Sequence, residues 1–246
     1  MDRVVRNRVD VSEGTKFIGV TFLYLFVAIL FTAGIMFLTS FGLNSLWMAS
    51  PEASTSLILG IFIGTSIIEI ITVFVMQFAI LRKGRSPLGA YIAYATCNGL
   101  FLGALATFLN VFGGFENPYY LYATAFGITA VMFALMGLAG ILLGQRARII
   151  GLIGISFLIG AALFGLANWI WFMIFGAIDW MFMIVSAIST IGVLLITVWD
   201  VARIKIIANN GTGSNNLALY CSFTLYVDFI YIFMRVLSII IRFSRR

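Results

Sequence analysis

The chain has 246 residues and a formal net charge of +6. Its 62% hydrophobic and 10% charged content, against about 25% charged in soluble domains, excludes a sizeable soluble domain; the basic residues sit in short loops between apolar runs, which is not a nucleic-acid-binding pattern. There is no histidine, so most zinc and haem ligation is removed, and a charge change near neutral pH falls to carboxylates, cysteine or the terminal amine.

A helix crossing a bilayer needs about 20 apolar residues. Seven runs meet that length: 17–39, 56–81, 88–109, 121–143, 150–174, 180–201 and 217–241. The expected organisation is a cytoplasmic tail at 1–16, a transmembrane domain at 17–241 and a short basic tail at 242–246. The first run is too long for a signal-peptide core and is expected to stay as an anchor. Pro51, Pro87 and Pro118 fall in or beside loops, so no proline interrupts a run. Arg3, Arg6, Arg8 and Lys16 precede the first run. Arg82, Lys83 and Arg85 follow the second, Arg146 and Arg148 the fourth, and Arg203 and Lys205 the sixth. The three loops on the other side hold Glu52, Glu116 and Asp179 and no Lys or Arg. The positive-inside rule then puts the N-terminus in the cytoplasm. Trp47, Tyr119, Tyr120, Trp171 and Trp180 fall near the opposite ends, as an aromatic belt would. Arg242, Arg245 and Arg246 run against the rule if the last run crosses. Its length favours a crossing over a re-entrant segment.

Gly60 and Gly64, Gly99 and Gly103, and Gly140 and Gly144 each stand four apart. That spacing lets helices approach closely, and ordinary bundle packing accounts for it. Cys97 and Cys221 lie in apolar runs with no CxxC spacing and read as small packing residues.

The runs contain three acidic residues: Glu69, Asp200 and Asp228. A carboxylate at the centre of a bilayer costs about 2.5–3.5 kcal/mol on insertion scales, so its presence calls for a reason. Asp200 ends the sixth run within LLITVWDVARIKII; Asp228 lies near the middle of the seventh. The two runs are antiparallel across a short polar loop, so the carboxyls can meet. Two carboxylates in a low dielectric do not both ionise cheaply. A shared proton would tie the helices together, and its loss would leave two repelling charges, a bistable element biased by pH. Ionised oxygens on a water-filled path also suit a hard cation such as Ca²⁺. Plainer readings exist for each residue. Asp200 could snorkel to the surface beside Arg203, Asp228 could pair with Arg235, Glu69 could be a structural hydrogen-bonder, and Arg82 could be a topology charge or a partner of Asp200.

Three segments carry a resemblance. AFGITAVMFALMG (125–137), TVWDVARI (197–204) and LALYCSFTLYVDFIYIFMRVL (217–237) resemble the fourth-, sixth- and seventh-helix motifs of the Bax-inhibitor-like, or transmembrane Bax inhibitor motif, family, and its bacterial members above all. The resemblance implies an all-α fold of seven transmembrane helices, six surrounding the C-terminal one. It implies a pH-sensitive calcium leak channel in which Asp200 and Asp228 form the proton sensor and gate. Glu69 would lie on the ion path, and Arg82, or Lys83 beside it, would latch Asp200. Arg235 is unusual within that pattern and would alter gating. No catalytic activity, cofactor or structural metal is expected, Ca²⁺ being the transported ion. Membrane lipid and calcium are the expected partners, the monomer is the working oligomeric state, and short tails point to a bacterial plasma membrane rather than an organelle.

Three other classes compete. An intramembrane aspartyl protease also carries aspartates on its sixth and seventh helices, but it needs GxGD where this chain has LYVD (225–228), and a PAL sequence that is missing. A retinal-binding protein needs a lysine in the last run, and there is none. A stress-regulatory membrane scaffold with incidental ion flux remains as an alternative.

Overall fold

The structure, a computed structural model, describes residues 2–81, 86–115, 117–175, 179–211 and 213–244. Among these every regular element is helical: α1 (Asp2–Ala49), α2 (Pro51–Leu81), α3 (Leu88–Val111), α4 (Pro118–Leu143), a 3-10 turn (Gly144–Arg146), α5 (Ala147–Phe175), α6 (Asp179–Asn209) and α7 (Asn215–Ser244). Inside hydrocarbon a helix satisfies every backbone polar group within its own segment. The prolines act as initiators: Pro51 and Pro118 are first residues, where their missing N–H costs nothing, and Pro87 precedes α3.

Among the described residues six stretches are long and apolar enough to cross a membrane: Glu13–Ala49, Pro51–Met76, Leu88–Val111, Pro118–Ala167, Met183–Asn209 and Asn215–Ser244. The runs expected at 121–143 and 150–174 fall largely within one of them, because α4 and α5 follow each other through the 3-10 turn. Gly144 opens that turn at φ +52°, a left-handed conformation that glycine adopts without a Cβ penalty. Leu38, Phe41 and Leu142 are 74%, 75% and 85% exposed. Apolar surface on this scale belongs against lipid, and the chain is an integral multi-pass membrane protein.

The helices outrun the apolar runs that announced them. Arg203 and Lys205, expected in a loop, ride on the last turns of α6. Backbone hydrogen bonding continues to favour helix beyond the hydrocarbon edge, and Lys205 Nζ donates to the carbonyl of Ile141 near the end of α4 at 3.0 Å, a cation meeting a helix C-terminus.

The chain divides into two compact units. One comprises residues 19–120 and 214–223. There α1 lies directly on α3: a Cβ at Gly99 would sit 2.6 Å from Ile35 Cβ, and one at Gly103 2.6 Å from the Met36 carbonyl. Leu43, Ile58 and Ala104 pack α1, α2 and α3 together. Ser40 hydrogen-bonds Tyr119 at 2.9 Å. The opening turns of α7 are held by α3, with Tyr91 hydrogen-bonded to the Ser222 hydroxyl at 2.9 Å and both Tyr91 and Tyr94 edge-on to Phe223.

The other unit comprises residues 1–18, 121–213 and 224–246. Its geometry centres on α6, which turns three faces to three neighbours. Toward α5, Gly154 and Gly151 bring the backbones together; their Cβ atoms would stand 2.8 Å from the Gly192 carbonyl and 2.7 Å from Trp199 Cβ. Toward α4, a Cβ at Gly140 would meet the Val198 carbonyl at 2.5 Å, within a cluster of Ala147, Val198 and Ala202. Toward α7 the face is polar. α7 also reaches α4, where Phe126 and Phe133 both lean on Phe229 with ring centroids 5.6 Å apart.

Candidate functional site

The polar face of α6 carries Thr197 and Asp200, and that of α7 carries Thr224 and Asp228. Each aspartate has a threonine about one helical turn before it, three residues in α6 and four in α7, so each pair shares a face. Two antiparallel helices then set each acid against the other helix's hydroxyl. The structure has that exchange: Asp200 hydrogen-bonds Thr224, and Asp228 hydrogen-bonds Thr197. The two carboxyls are close enough to interact electrostatically. Thr197 is fully buried, Asp228 is 8% exposed, and Asp200 and Thr224 are half-buried.

Hydroxyl chemistry gives this arrangement two settings. The Thr197 hydroxyl also donates to the Val193 carbonyl at 2.9 Å. A hydroxyl has one proton to give and two lone pairs. When it donates to Val193 it can serve Asp228 only as an acceptor, which requires a protonated carboxyl. When Asp228 is ionised the hydroxyl must rotate toward it. Asp228 Oδ2 is buried and has no hydrogen-bond partner; a buried oxygen left that way is costly, so it is a position for a proton, a water or a cation.

The surroundings of the pair decide between the plainer readings. Arg203 does interact with Asp200, so that acid faces a cation at one side and Asp228 at the other. Arg235 does not serve Asp228. Its guanidinium donates to the Tyr231 hydroxyl at 2.9 Å and to Ser186 Oγ at 3.5 Å, and lies 5.0 Å from the Tyr231 ring centre.

Residues 14–245 match a family model described as inhibitor of apoptosis-promoting Bax1. The chain belongs to the Bax-inhibitor family. No curated protein matches it closely enough to supply a relative.

Within this Bax-inhibitor chain Glu69 belongs to the other unit. It is half-buried on α2, within electrostatic reach of Tyr94 and Cys97 on α3. Arg82 and Lys83, the expected latch, lie outside the described residues. Among the described residues no three of Cys, Asp and Glu gather to hold a metal ion. What α6 and α7 offer is two carboxylates and two hydroxyls, a set of hard oxygens of the kind a Ca²⁺ ion accepts. Sequence reasoning singled out both aspartates and missed both threonines. The signal was present as T-x-x-D at 197–200 and T-x-x-x-D at 224–228, a hydroxyl one turn from each acid.

Proposed function

We propose that the protein is a pH-sensitive calcium leak channel whose gate is the Asp200–Asp228 pair. The observation that carries the reading is the crossed aspartate–threonine arrangement between α6 and α7, with a buried carboxyl oxygen left unpaired. A proton on the pair keeps one acid neutral and closes the gate by preserving the crossed threonine bonds that tie α6 to α7. Its loss leaves two like charges that push the helices apart and line the gap with oxygen ligands. The sign follows: the protonated, tied form dominates at low pH, and flux rises as pH rises through the range in which the shared proton is lost.

The proposed topology has seven crossings. Pro118–Ala167 is 50 residues long, about 75 Å as straight helix, more than twice the roughly 30 Å hydrocarbon core. It is therefore read as two crossings hinged at Gly144, giving a cytoplasmic N-terminus and a basic cytoplasmic side. α7 is nearly continuously buried from Ala218 to Phe233, as a helix that is apolar and packed on most sides would be.

The test is calcium efflux from vesicles containing the purified full chain, followed across pH. Asp200→Asn and Asp228→Asn each replace an ionisable oxygen with an amide that keeps a donor. Each should flatten the pH response and hold flux near its low-pH level. Unaltered profiles in both variants would refute the gate.

A further inference from the structure

The contact between α6 and α7 extends well beyond the aspartates. On α7, Thr224, Asp228, Tyr231 and Arg235 follow at spacings of four, three and four. On α6, Ser186, Thr190, Val193, Thr197 and Asp200 follow at four, three, four and three. These are seam spacings, which keep one side of each helix against its partner. The cross-helix bonds keep antiparallel order: Thr224 with Asp200, Asp228 with Thr197, Arg235 with Ser186. From Asp200 to Ser186 the seam is about 21 Å long. Apart from Val193 it presents oxygen, hydroxyl and guanidinium groups where membrane helices ordinarily place apolar ones.

Arg235 holds the end remote from Asp200. An arginine near a helix end commonly snorkels outward to the headgroups. This one is half-buried and turned back: its hydrogen bond to Tyr231 points one turn toward Asp228. Among the described residues its partners are two hydroxyls and an aromatic face, with no carboxylate to cancel its charge. The unpaired Oδ2 of Asp228 lies on the same face of α7, seven residues away, about 10.5 Å along the axis. One seam therefore carries an unsatisfied acceptor for a cation and, two turns on, a fixed positive charge.

We propose that Arg235 is the electrostatic barrier of the ion path along this seam, the group that limits cation flux and weights it against divalent ions. The proposal rests on the cation-leak reading above and names the residue that sets its rate. A cation moving between Asp228 and the far end of the seam must pass the guanidinium. Repulsion scales with the ion's charge. A cation at Asp228 stands about 10 Å from the guanidinium, where at an effective dielectric of about 20 a unit charge is disfavoured about tenfold and a divalent ion by about the square of that factor, and closer approach raises both. Pores exclude cations with a fixed arginine on this principle.

The experiment compares K⁺ and Ca²⁺ efflux from vesicles holding the wild-type chain, Arg235→Gln, Arg235→Lys or Tyr231→Phe. Arg235→Gln should raise K⁺ efflux about tenfold and Ca²⁺ efflux by about the square of that gain. Arg235→Lys, which keeps the charge, should restore the barrier for both ions. Tyr231→Phe removes the hydroxyl that turns the guanidinium inward and should give a smaller gain in the same order, divalent above monovalent. It also stands in if Arg235→Gln does not reach the vesicles. Equal gains for the two ions, or a gain in Arg235→Lys matching that in Arg235→Gln, would mean a structural tie and overturn the barrier. Valence-weighted gains alongside an unaltered pH profile in Asp228→Asn would remove the proton gate and leave the barrier standing. No cation flux in any variant would remove both.

Discussion

Two faces of α6 make opposite use of close contact. Against α5 the helix presents Gly192 to Gly154 and Trp199 to Gly151, with backbones near enough that a Cβ would collide. Against α7 it presents hydroxyls and a carboxyl, each matched to a polar partner. The first face has one good arrangement, because close-packed surfaces lose contact energy steeply when they separate. The second has at least two, because protons and hydroxyl rotors can be rearranged without repacking. A helix anchored on one side and switchable on the other is what the proposed gate requires.

The contrast can be broken by exchanging the kinds of damage. The largest effect on flux is expected from Asp228→Asn: the ratio of calcium flux at high pH to that at low pH should fall by about tenfold or more, equivalent to roughly 1.4 kcal/mol of gating energy, while thermal unfolding in detergent changes little. The largest effect on stability is expected from Gly154→Leu, which forces a side chain into the Gly192 carbonyl; it should destabilise the protein by about 1–3 kcal/mol, seen as a lowered unfolding midpoint. If Gly154→Leu shifted the pH profile and left the unfolding midpoint alone, the division of labour between the faces would be wrong. Thr197→Val is smaller. It keeps the shape and removes the hydroxyl that answers Asp228, so the midpoint of the pH profile should move while unfolding shifts by no more than about 1–2 kcal/mol. The smallest is Gly60→Ala. A Cβ there meets nothing within 4 Å, so unfolding should stay within about 0.5 kcal/mol of wild type.

Gly60 also marks where the sequence misleads. Three glycine pairs at four-residue spacing looked equivalent. Gly99 and Gly103 do receive α1, and Gly140 receives α6. Gly60 and Gly64 have open space beside them, and Gly144 serves the turn between α4 and α5 through its positive φ. Spacing says that a helix has a flat stripe; it does not say whether a neighbour or lipid lies against it. The closest approach of α5 to α6, at Gly151, Gly154 and Gly192, follows none of the three pairs. The candidate site divides in the same way. Asp200 and Asp228 announced themselves, since an acid in an apolar run is rare for an energetic reason. Thr197 and Thr224 did not, because a threonine can bond its own helix carbonyl at no cost and so carries no anomaly in the sequence.

Composition, run length and the placement of charge were enough to determine that the chain is helical, embedded in a membrane and burdened with acids it must accommodate, because the cost of a polar group in hydrocarbon is paid residue by residue and is local. The partner of each acid, the bond from Arg235 to Ser186 across the helices, and the choice of which glycines are covered were decided only by tertiary structure. Those depend on the register and rotation of one helix against the next, which arise from packing summed over many residues far apart in the chain.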